Sequence, residues 1–557
     1  MHDLTWWQHA VIYEIYPRSF QDSNGDGIGD LNGILRRLDY LVLLGVDAIW
    51  ISPIYPSPMA DFGYDVADYC GIDPIFGTMA DFDRLLAEAH RRGLKVILDF
   101  VPNHSSDRHP WFQKSRSSRH NPKRDWYIWR DQPNNWLSHF GGSAWEFDET
   151  TGQYYLHSFL KEQPDLNWRN PALKAAMFNA LRFWLRKGVD GFRVDVMWLM
   201  IKDDQFRDNP PNPGYRLGQA PHSHLLPVYN SDRLEIHGLV AEMRAVVDEF
   251  PDRVLIGEIY LPIPQLMTYY GVDLRGANLP FNFQLLQCAW SASAVAEVIS
   301  EYQQALPDGA WPNWVLGNHD NARIASRIGA RQARVAAMLL LTLPGTITMY
   351  YGEELGMCNV PIAPDQVQDP FEKNEPGLGL GRDPERTPMP WDASTAGGFT
   401  NGWPWLPLGD EHEIVNVTAL ERDDNSILRL YRNLIQLRQT HPVLVNGKLE
   451  GAVAEQNVLR YERTCDLHPT NKDPFAGTPA LHPTNKDPFA GTPARERLLV
   501  LLNMAAEAAQ ISVKSGTVLI STHLDREGTK VDSQVKLRAG EGLVISLEQS
   551  SGGPAVR

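Results

Sequence analysis

Three short contexts in this chain each hold a carboxylate directly after an apolar run: GFRVDV with Asp195, LIGEIY with Glu258 and LGNHDN with Asp320. A fourth context, DFVPNH, runs from Asp99 to His104. Polar residues at several strand ends meet at one mouth when parallel strands close into a barrel. Two carboxylates flanking one bond are the equipment for breaking a glycosidic linkage. Arg193 and Asp195 are two apart on a strand, so they project to one face. The guanidinium is therefore expected to lower the pKa of Asp195 and keep it anionic, as a nucleophile requires. Glu258 ends RVLIG, and apolar neighbours with other carboxylates nearby should push it toward the protonated form, as a general acid requires. Asp320, beside His319, would hydrogen-bond sugar hydroxyls while positive charge develops at the anomeric carbon.

Elements that could position such residues alternate along the chain. AVIYEIY is a strand, and LNGILRRLDYLVLLG is a helix with Leu31, Ile34, Leu35, Leu38 and Leu41 on one face. VDAIWIS, KVILDF, GFRVDV, RVLIGEI, ANLPFNF, NWVLGN and TITMYYG supply further strands. MADFDRLLAEAHRRG, ALKAAMFNALRFWLRKG, RLEIHGLVAEMRAVVDEF and SILRLYRNLIQLRQ supply helices. So many βα units favour a TIM (β/α)8 barrel over a doubly wound sheet. The Trp-, Pro- and Asn-rich stretch 104–170 breaks the rhythm and is expected to be an inserted subdomain after the third strand. The barrel then comprises 1–103 and 171–451. From 452 to 557 the pattern changes to period-two runs, which predict a C-terminal antiparallel β-sandwich domain. Inside it LHPTNKDPFAGTPA occurs twice in tandem, from Leu467 to Ala494, and its prolines and glycines predict an exposed loop.

The bulk properties narrow the partners. A net charge of −16 argues against nucleic acid and anionic membrane surfaces and suits a neutral small-molecule sugar. No apolar run reaches the length of a membrane span. Cys70, Cys288, Cys358 and Cys465 are far apart and lack framework spacing, and MHDLTWWQHA lacks the basic and apolar regions of a secretory leader. The expected location is cytoplasmic. Most of the 17 Trp and 19 Tyr are expected to be core residues.

With these motifs in view, the chain resembles the α-amylase superfamily of glycoside hydrolases (family 13), and within it the α-glucosidase and oligo-1,6-glucosidase branch. The resemblance rests on YEIYPRSFQDSNGDGIGDL, DFVPNHSSD, GFRVDV, GEIY, GNHDN and GRDPERTPMPWD. It implies Asp195 as nucleophile, Glu258 as acid/base and Asp320 as transition-state stabiliser. It further implies that Asp61, Tyr64, His104, Arg193, His319 and Arg386 hold the glucose, with Phe140 and Phe159 as aromatic walls. The implied activity is retaining, exo-acting hydrolysis of short α-glucosides such as maltose, with glucosyl transfer to acceptor alcohols. A sucrose isomerase or phosphorylase type of transferase on the same fold is an alternative. Two specificity cues disagree: Val196 after the nucleophile accompanies α-1,6 activity in this branch. The long loop from Lys202 to about Asp232 resembles those of disaccharide-preferring α-1,4 enzymes, and the loop is given more weight because it can exclude substrates sterically. DSNGDGIGD alternates oxygen-bearing side chains in a glycine-rich turn, close to the first half of an EF-hand loop, with Gly33 where that motif has glutamate. The resemblance implies a structural Ca2+ or Mg2+ held by Asp22, Asn24, Asp26, the Ile28 carbonyl and Asp30, and no organic cofactor.

Overall fold

The computed structural model describes residues 4–466 and 495–548, so the tandem repeat lies outside the described residues. Eight parallel strands form one sheet: β1 (Val11–Ile15), β2 (Ala48–Ile51), β3 (Lys95–Phe100), β4 (Gly191–Val194), β5 (Val254–Gly257), β6 (Leu279–Pro280), β7 (Asn313–Val315) and β8 (Thr346–Tyr350). Their order around the sheet is β7-β8-β1-β2-β3-β4-β5-β6, that of a barrel nearly closed between β6 and β7. The expected strand ANLPFNF is reduced to two paired residues, because Pro280 has no N–H to give the ladder. The Asn313 side chain bridges the gap instead. Its amide donates to the Pro280 carbonyl (2.7 Å) and its oxygen accepts from the Asn282 N–H (3.0 Å).

Side-chain alternation sorts each strand into two cores. Ile12, Trp50, Ile97, Ile256 and Val315 fill the barrel lumen. Val11, Tyr13, Ile15, Ile49, Ile51, Val96, Leu98, Phe192 and Val194 pack outward under the helices. The helices are built as their sequences dictate. Thr78 and Asp81 form a capping box for Met79–Arg91, which buries Phe82, Leu85, Leu86 and Ala89. Asn170 accepts from the Ala172 and Leu173 N–H groups at the start of Pro171–Lys187, and Gly188 ends it at φ 106°, a left-handed conformation that suits glycine. Burying each such leucine stabilises by about 1.5–3 kcal/mol, so Leu85→Asp would detach the helix. The helix expected over LNGILRRLDYLVLLG is two, Leu31–Arg36 and Leu38–Leu44. Arg37 breaks it at φ −104°, ψ 5°; its side chain is engaged by Gln21 Oε1 (2.6 Å) and the Trp391 ring.

Between β3 and the helix at Pro171 lies the inserted segment, with a three-stranded antiparallel sheet of Trp129–Arg130, Gln153–Leu156 and Trp145–Asp148. At the C-terminus a six-stranded antiparallel sheet begins at Lys448 and is accompanied by a two-stranded one. Leu499 and Leu501 face a core shared with Ile511, Val535 and Leu537 of the small sheet, while Leu498, Val500 and Leu502 face the barrel. Both faces of that strand are covered, which is why ERLLVLLN carries an apolar run instead of alternating.

Candidate active site

The parity that sends Ile12, Ile97 and Ile256 into the lumen sends Glu14, Asp99, Arg193 and Glu258 there too. Arg193 lies opposite Asp99 on β3 and Ile256 on β5. The guanidinium, 1% exposed, is ringed by three carboxylates. Its Nη1 donates to Asp99 Oδ1 (2.9 Å) and Oδ2 (3.0 Å) and to Asp195 Oδ1 (2.8 Å), and its Nη2 lies 2.7 Å from Glu258 Oε2. Glu258 Oε2 also accepts from the Val196 N–H at 2.8 Å. Val196 sits at φ 37°, ψ 47°, a left-handed conformation that costs a β-branched residue roughly 1–3 kcal/mol. Among the described residues, Asp195 Oδ2 and Glu258 Oε1 accept no hydrogen bond, so each carboxyl keeps one oxygen for other work.

Electrostatics correct the expectation for Asp195. Burial raises its pKa well above the ordinary carboxylate value; Arg193 opposes this, but Glu258 and Asp99 add to it. The sequence reading counted one guanidinium for one aspartate, whereas here Arg193 is divided among three acids. Glu258 is raised as expected, by burial first, against the pull of Arg193. Asp320 is the opposite case. Burial works against its charge, yet His319, Arg382 and Arg386 hold its carboxyl well below the usual range.

Asp320 sits beyond β7 and is bound by Arg386 Nη2 (2.7 Å), Arg382 Nη1 (3.1 Å) and His319 Nε2 (3.3 Å). His319 is stacked between Tyr16 and Tyr64, with ring centroids 5.6 and 5.3 Å away. Tyr64 donates its hydroxyl to Asp99 Oδ2 (3.1 Å), and its carbonyl lies 3.0 Å from His104 Nε2. His104 packs against Phe159 (5.1 Å), and Phe159 against Phe140 (5.8 Å). Asp61 is tied in by Arg382 Nη2 (2.7 Å) and the Gln163 amide (3.2 Å). All eleven residues singled out from the sequence as catalytic or sugar-binding thus belong to one connected cluster. A cavity of about 810 Å³, within the usual range for small-molecule sites, opens past Glu258 and Asp320 between Phe140, Phe159 and Val196. Asn209, His222, Leu225 and Pro227 of the loop after β4 form its far wall.

Sequence reasoning missed several members. Arg382 ion-pairs with Asp61, Asp320 and Asp369, lies 4.9 Å from the Phe140 ring centroid and lines the cavity. Its signal in the sequence is the GRD that opens GRDPERTPMPWD, with Arg382 four residues before Arg386. Gln163, fully buried between Asp61 and His104, carried no readable signal. The loop from Asp22 to Asp30 forms a group of its own after β1. Asp22 Oδ1 accepts from Asn24 and Gly25 N–H (both 2.8 Å), Asp26 Oδ1 from Ile28 N–H (2.8 Å), and Asp30 Oδ2 from Ser23 N–H (2.8 Å). Gly25 and Gly27 take φ 89° and 90°, as the tight turns require. No three His, Cys, Asp or Glu side chains among the described residues converge as a metal-holding group.

A parallel barrel whose strand ends deliver carboxylates and arginines to one pocket defines a class, the barrel glycoside hydrolases. The alpha amylase catalytic-domain family model matches residues 14–447, and the chain belongs to that family. A probable alpha-glucosidase of Rhizobium meliloti (strain 1021) is 43% identical over 83% of this chain and 88% of its own. An oligo-1,6-glucosidase of Halalkalibacterium halodurans is 42% identical over 82% and 88%. The crystal structure of the alpha-glucosyl transfer enzyme XgtA matches with a TM-score of 0.87 and 37% identity, over 98% of this chain and all of that one. The protein is a glycoside hydrolase. No helix among its described residues is long and apolar enough to cross a membrane.

Proposed function

We propose that this enzyme is a retaining, exo-acting α-glucosidase of short substrates such as maltose that also transfers glucosyl groups to small acceptor alcohols. The observation that carries the reading is the sharing of Arg193: adjacent nitrogens of one guanidinium hold Asp195 and Glu258, each with its second oxygen unbonded. Glu258 Oε1 carries the proton and gives it to the glycosidic oxygen as that bond breaks. Asp195 Oδ2 attacks the anomeric carbon, forming a glucosyl-enzyme, while the Asp320 carboxylate stabilises the developing positive charge. Glu258, now a carboxylate, takes the proton of a water or an acceptor hydroxyl, whose oxygen displaces Asp195 with a second inversion. Asp61, Tyr64, His104, Arg193, His319 and Arg386 bind the glucose, and Phe140 and Phe159 flank it. Arg382 across the mouth and the loop after β4 favour short substrates with one small acceptor. NMR of the first-formed glucose tests the mechanism. The α-anomer is expected at early times, and the β-anomer would overturn it, nucleophile included.

A second reading, oligo-1,6-glucosidase, is favoured by Val196, which lines the cavity beside Asp195. Comparing turnover of maltose and isomaltose decides between them. We further propose that the loop after β1 holds a Ca2+ or Mg2+ through Asp22, Asn24, Asp26, the Ile28 carbonyl and Asp30. The donor set supports this: hard oxygens suit these ions. Burial alone would raise the pKa of Asp22, but the Thr400 hydroxyl and backbone N–H groups lower it and keep the carboxylate ionised. The ion would brace the loop and take no part in bond cleavage.

A further inference from the structure

Among the buried acids given no role above, Glu14 touches His319 directly. Glu14 is fully buried on β1, and its Oε1 lies 2.5 Å from His319 Nδ1. Its Oε2 has no partner. The His319 ring cannot turn over in place, because Tyr16 and Tyr64 stack on its two faces and Trp50 meets its edge at 6.2 Å. Its nitrogens therefore have fixed neighbours: Nδ1 faces Glu14, and Nε2 faces Asp320 Oδ2 at 3.3 Å. What each nitrogen does depends only on where protons sit.

Two inventories are possible. If Glu14 is ionised and His319 neutral, Nδ1–H donates to Glu14, and the bare Nε2 lone pair faces the Asp320 carboxylate. Two acceptors then meet in a buried site, and nothing is available to donate to a sugar oxygen. If the pair holds one proton more, that proton lies on Glu14 or on the ring, and Nε2–H is present either way. It then places a proton toward Asp320 Oδ2, 3.3 Å away, and can donate to a sugar hydroxyl when one arrives. The surroundings favour the second inventory. Burial, Asp320, Asp99 and Glu353 all disfavour a lone Glu14 anion, with Arg193 opposing them. On the His319 side, burial and the charges of Arg386, Arg193 and Arg382 disfavour a lone imidazolium, while Asp320 favours a proton. A neutral pair with its proton on the Glu14 side meets both constraints.

We infer that Glu14 is a positioning residue that fixes the tautomer of His319, keeping Nε2 protonated toward Asp320 and the sugar. The inference rests on the proposed reading of His319 and Asp320 as sugar-facing groups. Two variants and a spectrum test it. Glu14→Gln can still donate an amide N–H to Nδ1, so kcat/KM is expected within about tenfold of wild type. Glu14→Leu is similar in size but cannot, and a loss of about 100-fold is expected, the size of a misplaced hydrogen-bond donor in an active site. In a His319→Asn background the Glu14→Leu loss should largely vanish, because its effect passes through the ring. Equal losses for Gln and Leu, or an undiminished loss in that background, would overturn the inference. The 15N NMR spectrum of histidine-labelled wild-type enzyme needs no variant to fold. A protonated Nε2 on His319 is expected, and a bare Nε2 would overturn the inference. A wild-type enzyme that turns over no α-glucoside would sink the proposed function instead, while the spectrum would still report the tautomer.

Discussion

Buried arginines occur in two regions of this molecule and are satisfied in opposite ways. At the mouth of the barrel Arg193 is held by Asp99, Asp195 and Glu258, and its pKa is raised well above the ordinary value; burial lowers it but the acids outweigh burial. Between barrel and C-terminal sheet, Arg438 and Arg463 are at most 1% exposed and donate only to carbonyls. Arg438 binds those of Leu341, Leu343, Leu444 and Gly345; Arg463 binds those of Thr342, Leu444 and Gly447. Several of these close the end of the buried helix Ala330–Thr342, whose last carbonyls lack intrahelical partners. Burial lowers both arginines to about 9. Acid partners can titrate and move protons, so the first arrangement can run a reaction. Carbonyl dipoles cannot, so the second is structural: Arg463 ties the C-terminal sheet to Thr342 and Leu444 of the barrel domain, and Arg438 ties segments of the barrel domain to one another.

The largest effect expected is at the mouth. Asp195→Asn keeps the shape and removes the proposed nucleophile, so turnover of an aryl α-glucoside should fall by about 10⁴-fold with the melting temperature little changed. More than about one per cent residual activity would remove Asp195 from that role. At the other region, Arg438→Met leaves several buried carbonyls unpaired and should cost about 3 kcal/mol or more in urea unfolding, with kcat of the folded enzyme intact. A fall in kcat comparable with the loss of stability would erase the contrast between the two regions.

Asp99→Asn sharpens it. Removing one acid gives Asp195 and Glu258 a larger share of Arg193 and deletes a like charge, so both pKa values should drop. The proposed mechanism needs Asp195 ionised and Glu258 protonated for the first step, so both limbs of the kcat/KM profile should move to lower pH, by about one unit. Immobile limbs would mean that Arg193 is not shared as described. The smallest effect concerns the loop after β1, where carboxylates are satisfied by N–H groups as Arg438 is by carbonyls. Removing divalent ions should lower the melting temperature by a few degrees and leave kcat unchanged. An unchanged melting temperature in protein shown to be ion-free would count against the site.

Much of this was legible in the sequence because strands have a period of two. Once Arg193 and Asp195 are on one strand, they share a face, and the apolar runs before Asp195, Glu258 and Asp320 mark strand ends in a barrel. The motifs around Asp61, His104 and Arg386 place further polar groups at the same mouth. Local rules failed where one residue answers to many. The pKa of Asp195 is set by how Arg193 divides itself between β3, β4 and β5, and no spacing within GFRVDV encodes that division. Gln163, Arg382 and Glu14 act through partners far away in the chain, so their neighbours in sequence carry little trace of them. Val196 reads as an ordinary strand valine, yet its backbone is left-handed and its N–H is held by Glu258 from another strand. Which side chains face inward and which strand ends are polar follow from the order of residues alone, because backbone geometry fixes alternation locally. Which acids share a cation and which cations meet dipoles instead follows from the packed fold, because burial removes water's screening and makes every charge depend on all its neighbours at once.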